Sequence, residues 1–183
     1  MKLKNIILSG LFVSVLISCE GVTDISPKDS LTDASYWSKV EDLKLYANNL
    51  YTNLSAPGVD KDNVSDNCIT TNYSSYLFNE TTIPSTASEA GWTWGNIRNC
   101  NFFLTRYQKV QAAPSEVNPY VAEVRFFRAL DYFGKIKQFG DVPWYDKDLQ
   151  TADTDELYKP RDTRDFVLGK IIEDLEFAIQ WLP

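Results

Sequence analysis

The sequence contains no histidine. Histidine is the usual general base near neutral pH and the commonest metal ligand in proteins. Its absence excludes Ser-His and Cys-His nucleophilic mechanisms and every metal site that depends on an imidazole ligand. No pair of carboxylates is recognisable as an acid and a base placed in a cleft. The sequence therefore indicates that the chain is not an enzyme and uses no cofactor.

Positive charge is scarce as well. Lys and Arg together number 18 against 25 Asp and Glu, which gives a formal net charge of −7. Proteins that bind nucleic acid or anionic lipid surfaces carry clustered Lys and Arg. No basic patch interrupts the acidic character of this sequence, so we expect no nucleic-acid partner.

Long apolar runs are missing, apart from one near the N-terminus. Two lysines precede an apolar run over residues 6–17, which is the layout of a secretory signal and is too short to span a bilayer. The run leads into LISC at residues 16–19, which resembles the lipobox of bacterial lipoproteins. We expect residues 1–18 to be removed as a signal peptide and Cys19 to become the palmitate-bearing N-terminus. The alternative is an ordinary signal peptide followed by an unmodified cysteine.

A lipid anchor of this kind would hold the chain on a membrane. Each buried CH₂ of an acyl chain contributes about 0.8 kcal/mol, so the three chains of a mature bacterial lipoprotein anchor it stably. Residues 19–31 are short, polar and interrupted by a proline, which is typical of a tether between lipid and fold. We therefore expect the folded domain over residues 32–183.

Cys68 and Cys100 are the other two cysteines. An oxidising compartment outside the cytoplasm would permit a disulfide between them. The sequence gives no evidence that the two residues are close, so we expect unpaired, partly buried thiols and keep the disulfide as the alternative.

Apolar residues recur at helical spacing in four segments. Ser38 and Glu41 have the pattern of a capping box at the start of the first segment, and Gly140 is placed to end the third. The predicted helices span about residues 38–57, 92–110, 116–139 and 162–182. Small alanines at the helix crossings favour two antiparallel pairs stacked as in an α-solenoid, so the expected fold class is all-α.

The third predicted helix carries apolar residues on two sides. One stripe comprises Ala122, Phe126, Ala129, Phe133 and Ile136, and the other comprises Phe127, Leu130 and Tyr132. A helix that is apolar on more than one side is usually covered by several neighbours. We therefore expect this helix to lie between others. The last helix has so broad an apolar arc that we expect part of it to stay exposed, with marginal stability and self-association as consequences.

Residues 55–91 form a long irregular segment rich in Ser, Thr, Asn and Asp. Such segments between helices are usually functional or mobile, so this one is the best place to look for a binding site. Its candidate ligand-binding residues are Asp66, Asn67, Tyr73 and Tyr76, which could line the rim of a pocket. The alternative for each of them is a solvated loop residue.

Trp92 lies where this irregular segment meets the second predicted helix. An indole face complements the apolar face of a pyranose, and the side-chain amide of Asn96 or Asn99 is placed to donate hydrogen bonds to hydroxyl groups. Trp92 is therefore a candidate for stacking on a sugar ring, with packing at the helix entrance as the alternative. Trp94 fits the apolar stripe of the helix, and we interpret it as a core residue.

A family resemblance is carried by four segments that cover nearly the whole chain. They are residues 26–54, WTWGNIRNCNFFL at 92–104, AEVRFFRALDYFGKIKQFGDVPWYDK at 122–147 and RDTRDFVLGKIIEDLEFAIQWLP at 161–183. In order and approximate spacing, and with the lipobox, they resemble the SusD/RagB family of outer-membrane nutrient-binding lipoproteins. The third segment looks like the most distinctive one of that family.

The resemblance implies tetratricopeptide-like helix pairs in a lipoprotein that is anchored in the outer membrane and faces the cell exterior. It implies a SusC-like TonB-dependent transporter as partner, to which the protein delivers oligosaccharides or peptides. Family members continue well beyond the Leu-Pro at which this sequence stops, so residues 32–183 are expected to be an incomplete SusD-like N-terminal domain. The alternatives are an adaptor lipoprotein that binds no ligand and a non-functional truncated fragment.

Overall fold

The computed structural model describes residues 36–54, residue 80 and residues 83–183. The structure divides after residue 36, and residues 37–183 form the second, compact unit. The expected signal peptide, tether and lipid-modified Cys19 lie outside the described residues, as does most of the polar segment 55–91.

Five α-helices occur in the described part of the second unit. They are α1 (Val40–Leu50), α2 (Gly95–Leu104), α3 (Pro114–Phe139), α4 (Thr154–Leu157) and α5 (Arg164–Trp181). Within the described ranges, β structure is limited to one isolated antiparallel bridge between Val142 and Asp162. The predicted all-α fold with four main helices is confirmed, and the single-turn α4 lies in a segment without a helical pattern. None of the described helices combines the length and the apolar content that crossing a membrane requires.

The start of α1 differs from the prediction by one residue. The Asp42 carboxylate accepts hydrogen bonds from the backbone N–H groups of Ser38 (3.1 Å) and Lys39 (3.0 Å). Lys39 is therefore the N-cap residue, and the predicted capping box of Ser38 with Glu41 is wrong. Both acids lie in the first turn, but only Asp42 stands three residues after the N-cap, where its side chain reaches the free N–H groups.

Gly140 and Thr163 set the ends of α3 and α5. Gly140 has a φ of +70°, which glycine adopts without strain, and its N–H donates to the Ile136 carbonyl oxygen at 3.1 Å. The Thr163 hydroxyl accepts a hydrogen bond from the Phe166 N–H at 3.4 Å. Between these two ends, residues 141–163 form the connector, a segment that contains α4.

α3 lies at the centre of the unit and contacts α1, α2 and α5. Buried apolar side chains from all four helices pack around it. They include Leu43, Ala47 and Leu50 of α1, Ile97 and Phe103 of α2, Val121, Ala122, Val124 and Tyr132 of α3, and Val167, Ile171 and Ala178 of α5. Full burial of one such aliphatic or Phe side chain contributes about 1.5–3 kcal/mol. The expectation that α3 lies between neighbours is confirmed.

The apolar stripes predicted for α3 are wrong in part. Phe126, Leu130 and Phe133 are 38%, 43% and 46% exposed, whereas Arg128 and Lys135 of the same helix are buried. Hydrophobic periodicity places charged residues outside, because an unpaired charge is costly to bury. On α3 a carboxylate from α5 offsets that cost for Arg128, so this side chain takes a core position.

The apolar arc of α5 is covered only in part, as expected. Ile171 and Ala178 are buried, whereas Leu168, Ile172 and Ile179 are exposed. The three exposed residues are four and seven positions apart, so they lie on one side of the helix. Together they form an exposed apolar stripe, and the self-association expected from it stays a prediction.

Candidate functional site

A cavity of about 530 Å³ lies between the start of α2 and the connector. This volume is within the range of small-molecule sites in proteins. Four aromatic side chains line it, namely Trp92, Trp94, Tyr145 and Tyr158. Aliphatic residues and neutral polar residues complete much of the lining, including Ile97, Leu149, Leu157, Asn101, Gln150 and Thr151.

Three of the four aromatic rings, those of Trp92, Trp94 and Tyr145, pack edge to face, whereas Tyr158 is 84% exposed. The ring centroids of Trp92 and Trp94 are 5.2 Å apart at an interplanar angle of 80°, and those of Trp94 and Tyr145 are 5.3 Å apart at 76°. The ring of Phe139 packs against Trp92 in the same way at 4.8 Å. Edge-to-face pairs are favourable and directional, so the rings keep their orientation in the absence of a ligand.

Tyr132 fixes the connector against α3. Its hydroxyl accepts a hydrogen bond from the Tyr145 N–H at 2.6 Å and lies 3.3 Å from the Tyr145 carbonyl oxygen, to which it donates. Its ring stacks on Trp144 with a centroid distance of 4.3 Å. Burial raises the pKa of Tyr132, which keeps the hydroxyl protonated and able to donate and accept together. Tyr145, on the cavity wall, is thereby anchored through its backbone.

A buried polar network connects the same wall to α5. The Arg128 guanidinium donates to Asp174 through Nε (2.7 Å to Oδ2) and Nη2 (2.8 Å to Oδ1). Its Nη1 donates to the Asn101 side-chain oxygen at 2.9 Å. The Asn101 amide in turn donates to the Tyr145 carbonyl oxygen at 2.7 Å. One chain of hydrogen bonds, charge-assisted at Arg128, thus links α5, α3, α2 and the connector.

Four cationic side chains also line the cavity, although the sequence shows no basic cluster. They are Arg98, Lys147, Lys159 and Arg161. The Lys159 ammonium donates to the Trp144 carbonyl oxygen at 2.6 Å, and the Arg161 guanidinium lies over the Trp92 ring at 4.8 Å from its centroid. Only the fold brings these residues together, because Arg98 is separated from the connector along the chain by the whole of α3.

Only some of the predicted site residues line this cavity. Trp92 lines the cavity and is half-buried. Trp94 lines it too, while its ring packs on Tyr132 at 6.1 Å, so the residue serves both the core and the cavity wall. Asn96 and Asn99 do not line this cavity. The Asn96 side-chain amide donates to Asp131 at 3.5 Å, and the Asn99 backbone carbonyl oxygen accepts a hydrogen bond from the Tyr46 hydroxyl at 2.9 Å.

Asp66, Asn67, Tyr73 and Tyr76 lie outside the described residues, and so does Cys68. Cys100 is a free, buried thiol on α2. Burial raises the pKa of the Cys100 thiol to about 12, so it stays protonated and a poor nucleophile at neutral pH. Cys100 is not among the described residues that line the cavity.

Sequence reasoning missed the connector side of the cavity. Tyr145, Tyr158, Lys159 and Arg161 belong to a stretch without helical or strand periodicity, and none of them was among the predicted ligand-binding residues. The signal that could have found them is composition. Aromatic and cationic residues occur together there within an otherwise Asp-rich segment, and both types are common at ligand sites.

Comparison with known proteins places the chain among SusD-like proteins. A SusD-like family model, described as starch-binding and associating with the outer membrane, matches residues 23–183. Two SusD-like proteins of Formosa agariphila are 27% and 25% identical to the chain over 97% of its length. The chain spans 37% and 38% of the length of these two relatives, little more than a third of each.

Solved structures agree with this assignment. A SusD-like protein of Bacteroides fragilis superposes with a TM-score of 0.67 at 28% identity, covering 87% of this chain and 33% of that one. A SusD-like carbohydrate-binding protein of the same species gives a TM-score of 0.64 at 20% identity, covering 81% of this chain and 32% of that one. The fold is therefore the all-α, tetratricopeptide-like fold of SusD-like proteins. Together with the match over residues 23–183, it shows that this chain belongs to the SusD-like family.

Proposed function

We propose that this chain is a nutrient-capture lipoprotein of the outer membrane that binds oligosaccharides in the aromatic cavity. The observation that carries the proposal is the set of four aromatic rings around one cavity of about 530 Å³. Aromatic side chains offer large, rigid apolar faces at low entropic cost, and a sugar ring has an apolar face of matching shape. The neutral polar residues Gln150 and Thr151 also line the cavity, and groups of this kind form hydrogen bonds with sugar hydroxyl groups.

Binding rather than hydrolysis fits the lining of the cavity. Glycosidases need two carboxylic acids on either side of the scissile bond. The described lining contains no Asp or Glu and no cysteine, so it offers neither an acid/base pair nor a thiol nucleophile. The sequence supplies no histidine to replace them.

Relatives support a carbohydrate as ligand. The family match carries a description as starch-binding, and one structural neighbour from Bacteroides fragilis is described as carbohydrate-binding. A peptide is the second ligand class that we consider. An extended peptide commonly adds to a free strand edge, and the part of the chain that the structure describes has no strand to offer.

Delivery and anchoring complete the proposal. We expect the chain to pass its ligand to a SusC-like TonB-dependent transporter from the exterior of the cell, held there through Cys19. An adaptor without ligand is the competing function, and the aromatic cavity argues against it because a concave apolar surface with a few polar groups is typical of a ligand site.

Replacement of Trp92 by alanine tests the ligand site. We expect the affinity of the full chain, solubilised in mild detergent, for its oligosaccharide to fall about tenfold or more, since about 1.4 kcal/mol of lost contact is a factor of ten. Isothermal titration calorimetry against a panel of plant and bacterial oligosaccharides measures the affinity of the parent chain and of the variant. Phe133→Ala, an exposed aromatic of α3 outside the cavity, is the matched control and should bind as the parent does. Equal binding by the parent and Trp92→Ala would exclude the cavity as the site.

Replacement of Cys19 by alanine tests the anchor. We expect the variant to lose metabolic labelling with palmitate and to leave the membrane fraction, because acyl chains supply the membrane affinity in this proposal. Cys68→Ala is the control and should keep both properties. Undiminished membrane retention of Cys19→Ala would contradict the proposed anchor.

A further inference from the structure

We infer that the aromatic cavity prefers an acidic oligosaccharide, one that carries carboxylate or sulfate groups. The inference rests on the proposed function, and it assigns the ligand class within it. Two arginines carry the argument, namely Arg98 on α2 and Arg161 at the end of the connector.

The charge of the lining is opposite to that of the chain. Asp and Glu outnumber Lys and Arg by 25 to 18 in the sequence, yet the described lining has four cationic side chains and no carboxylate. A cavity with apolar walls concentrates the field of such charges, because the low-dielectric walls screen them less than water does. An anionic ligand is therefore attracted into this cavity by a protein whose overall charge would repel it.

The two lysines of the lining are offset by nearby acids. The Lys147 and Lys159 ammonium groups lie 4.0 Å and 3.8 Å from the Glu156 carboxylate, and Lys159 lies 3.5 Å from Asp162 as well. Neither carboxylate belongs to the described lining of the cavity. Lys147 and Lys159 therefore contribute less to the attraction than their number suggests.

Arg98 and Arg161 have no such partner in the described part of the chain. Among the described residues, no carboxylate lies within ion-pairing distance of either guanidinium. Arg161 is positioned by the Trp92 ring beneath it and by a long contact of 3.5 Å to the Asp141 carbonyl oxygen. The N–H groups of the Arg161 guanidinium therefore remain available to a ligand in the cavity. A sugar ring that contacts Trp92 would lie close enough to this guanidinium to accept hydrogen bonds from it.

A guanidinium beside an aromatic ring suits a charged sugar. The planar fork of Arg binds a carboxylate or a sulfate through two parallel hydrogen bonds, and these charge-assisted bonds are about twice as strong as neutral ones. The ring contributes contact area to the apolar face of the same sugar unit. An acidic peptide would pair with the arginines, but it would not stack flat apolar faces on the four aromatic rings. We therefore favour the acidic oligosaccharide.

Matched probes that differ only in charge test the inference. Trigalacturonate is compared with its methyl ester, and a sulfated carrageenan tetrasaccharide with its desulfated form, by calorimetric titration of the full chain in mild detergent. We expect the charged member of at least one pair to bind about tenfold tighter or more, and this preference to shrink as salt rises. We expect each of the single variants Arg98→Gln and Arg161→Gln to bind the charged member of that pair less than about threefold tighter than the neutral member.

Lys137→Gln, which removes an exposed cation of α3 outside the cavity, is the control and should keep the full preference. Equal binding of charged and neutral members would overturn the inference while the proposed function stands. Tighter binding of a hexaglutamate peptide than of any glycan would overturn the assignment to a sugar. No binding of any oligosaccharide would count against the proposed function and the inference together.

Discussion

Replacement of Asp174 by alanine is expected to lower the free energy of unfolding by about 3–5 kcal/mol, because it leaves the buried Arg128 guanidinium without its counter-charge. Arg128 and Asp174 are both buried, and two hydrogen bonds of 2.7 Å and 2.8 Å join them. Once the carboxylate is gone, the remaining contacts of the guanidinium to protein acceptors do not neutralise it. Urea denaturation followed by far-ultraviolet circular dichroism measures the loss.

The exposed pair of Lys170 and Glu173 on the same helix is the matched control. Its atoms are equally close, at 2.8 Å, but the Glu173 side chain is 61% exposed. Glu173→Ala should therefore cost no more than about 1 kcal/mol. The double variant Arg128→Met with Asp174→Leu removes both charges and should be more stable than Asp174→Ala alone. A cost for Asp174→Ala as small as that for Glu173→Ala would show that the buried network does not hold the helices together.

Replacement of Tyr132 by alanine is expected to cost about 3–5 kcal/mol as well, the range for deleting a large buried aromatic side chain. Tyr132 is fully buried, its ring stacks on Trp144, and its hydroxyl holds the backbone of Tyr145. The variant should also lose oligosaccharide binding under conditions where it is still folded, because the connector wall of the cavity is no longer fixed. Thermal and urea denaturation measure the loss of stability, and calorimetric titration measures the loss of oligosaccharide binding.

Two further variants separate the ring from its hydroxyl group. Tyr132→Phe keeps the stacking on Trp144 but leaves the Tyr145 N–H without its acceptor, which should cost about 1–3 kcal/mol. Phe133→Ala removes a neighbouring aromatic that is 46% exposed and should cost less than about 1 kcal/mol. If Tyr132→Phe is as stable as the parent and binds as well, the hydroxyl does not position the cavity wall.

The helices could be predicted from the sequence because their periodic patterns are long. α3 and α5 show the clearest patterns, and their observed bounds lie within two residues of the predicted ones. α2 is shorter than predicted, since the backbone turns to a 3₁₀ helix at Tyr107–Lys109. Side-chain periodicity does not distinguish α from 3₁₀ winding at a helix end.

The identity of the buried side chains could be predicted only in part. The position of Arg128 in the core depends on Asp174, which lies 46 residues further along the chain. Local spacing cannot reveal such a partner, so the sequence predicted Phe126 and Phe133 as core residues and did not predict the burial of Arg128. Tertiary pairing here overrides hydrophobic periodicity.

The residues of the candidate site could also be predicted only in part. Trp92 could be identified, because an aromatic residue at the junction of a loop and a helix is a plausible ligand contact. Arg98 and Arg161 could not, since they meet only when α3 folds back and brings the connector against α2. The predicted candidates in the polar segment, Asp66, Asn67, Tyr73 and Tyr76, stay predictions.

Photo-affinity labelling tests most directly whether the cavity holds the ligand. The full chain is irradiated with an acidic oligosaccharide that carries a diazirine, and the labelled peptides are mapped by mass spectrometry with unlabelled oligosaccharide as competitor. The cavity site predicts competed labels in residues 92–101 and 143–161, the two segments that line it. Competed labels confined to α1 or to the exposed side of α3 around Phe126 and Phe133, with both cavity segments unlabelled, would contradict it.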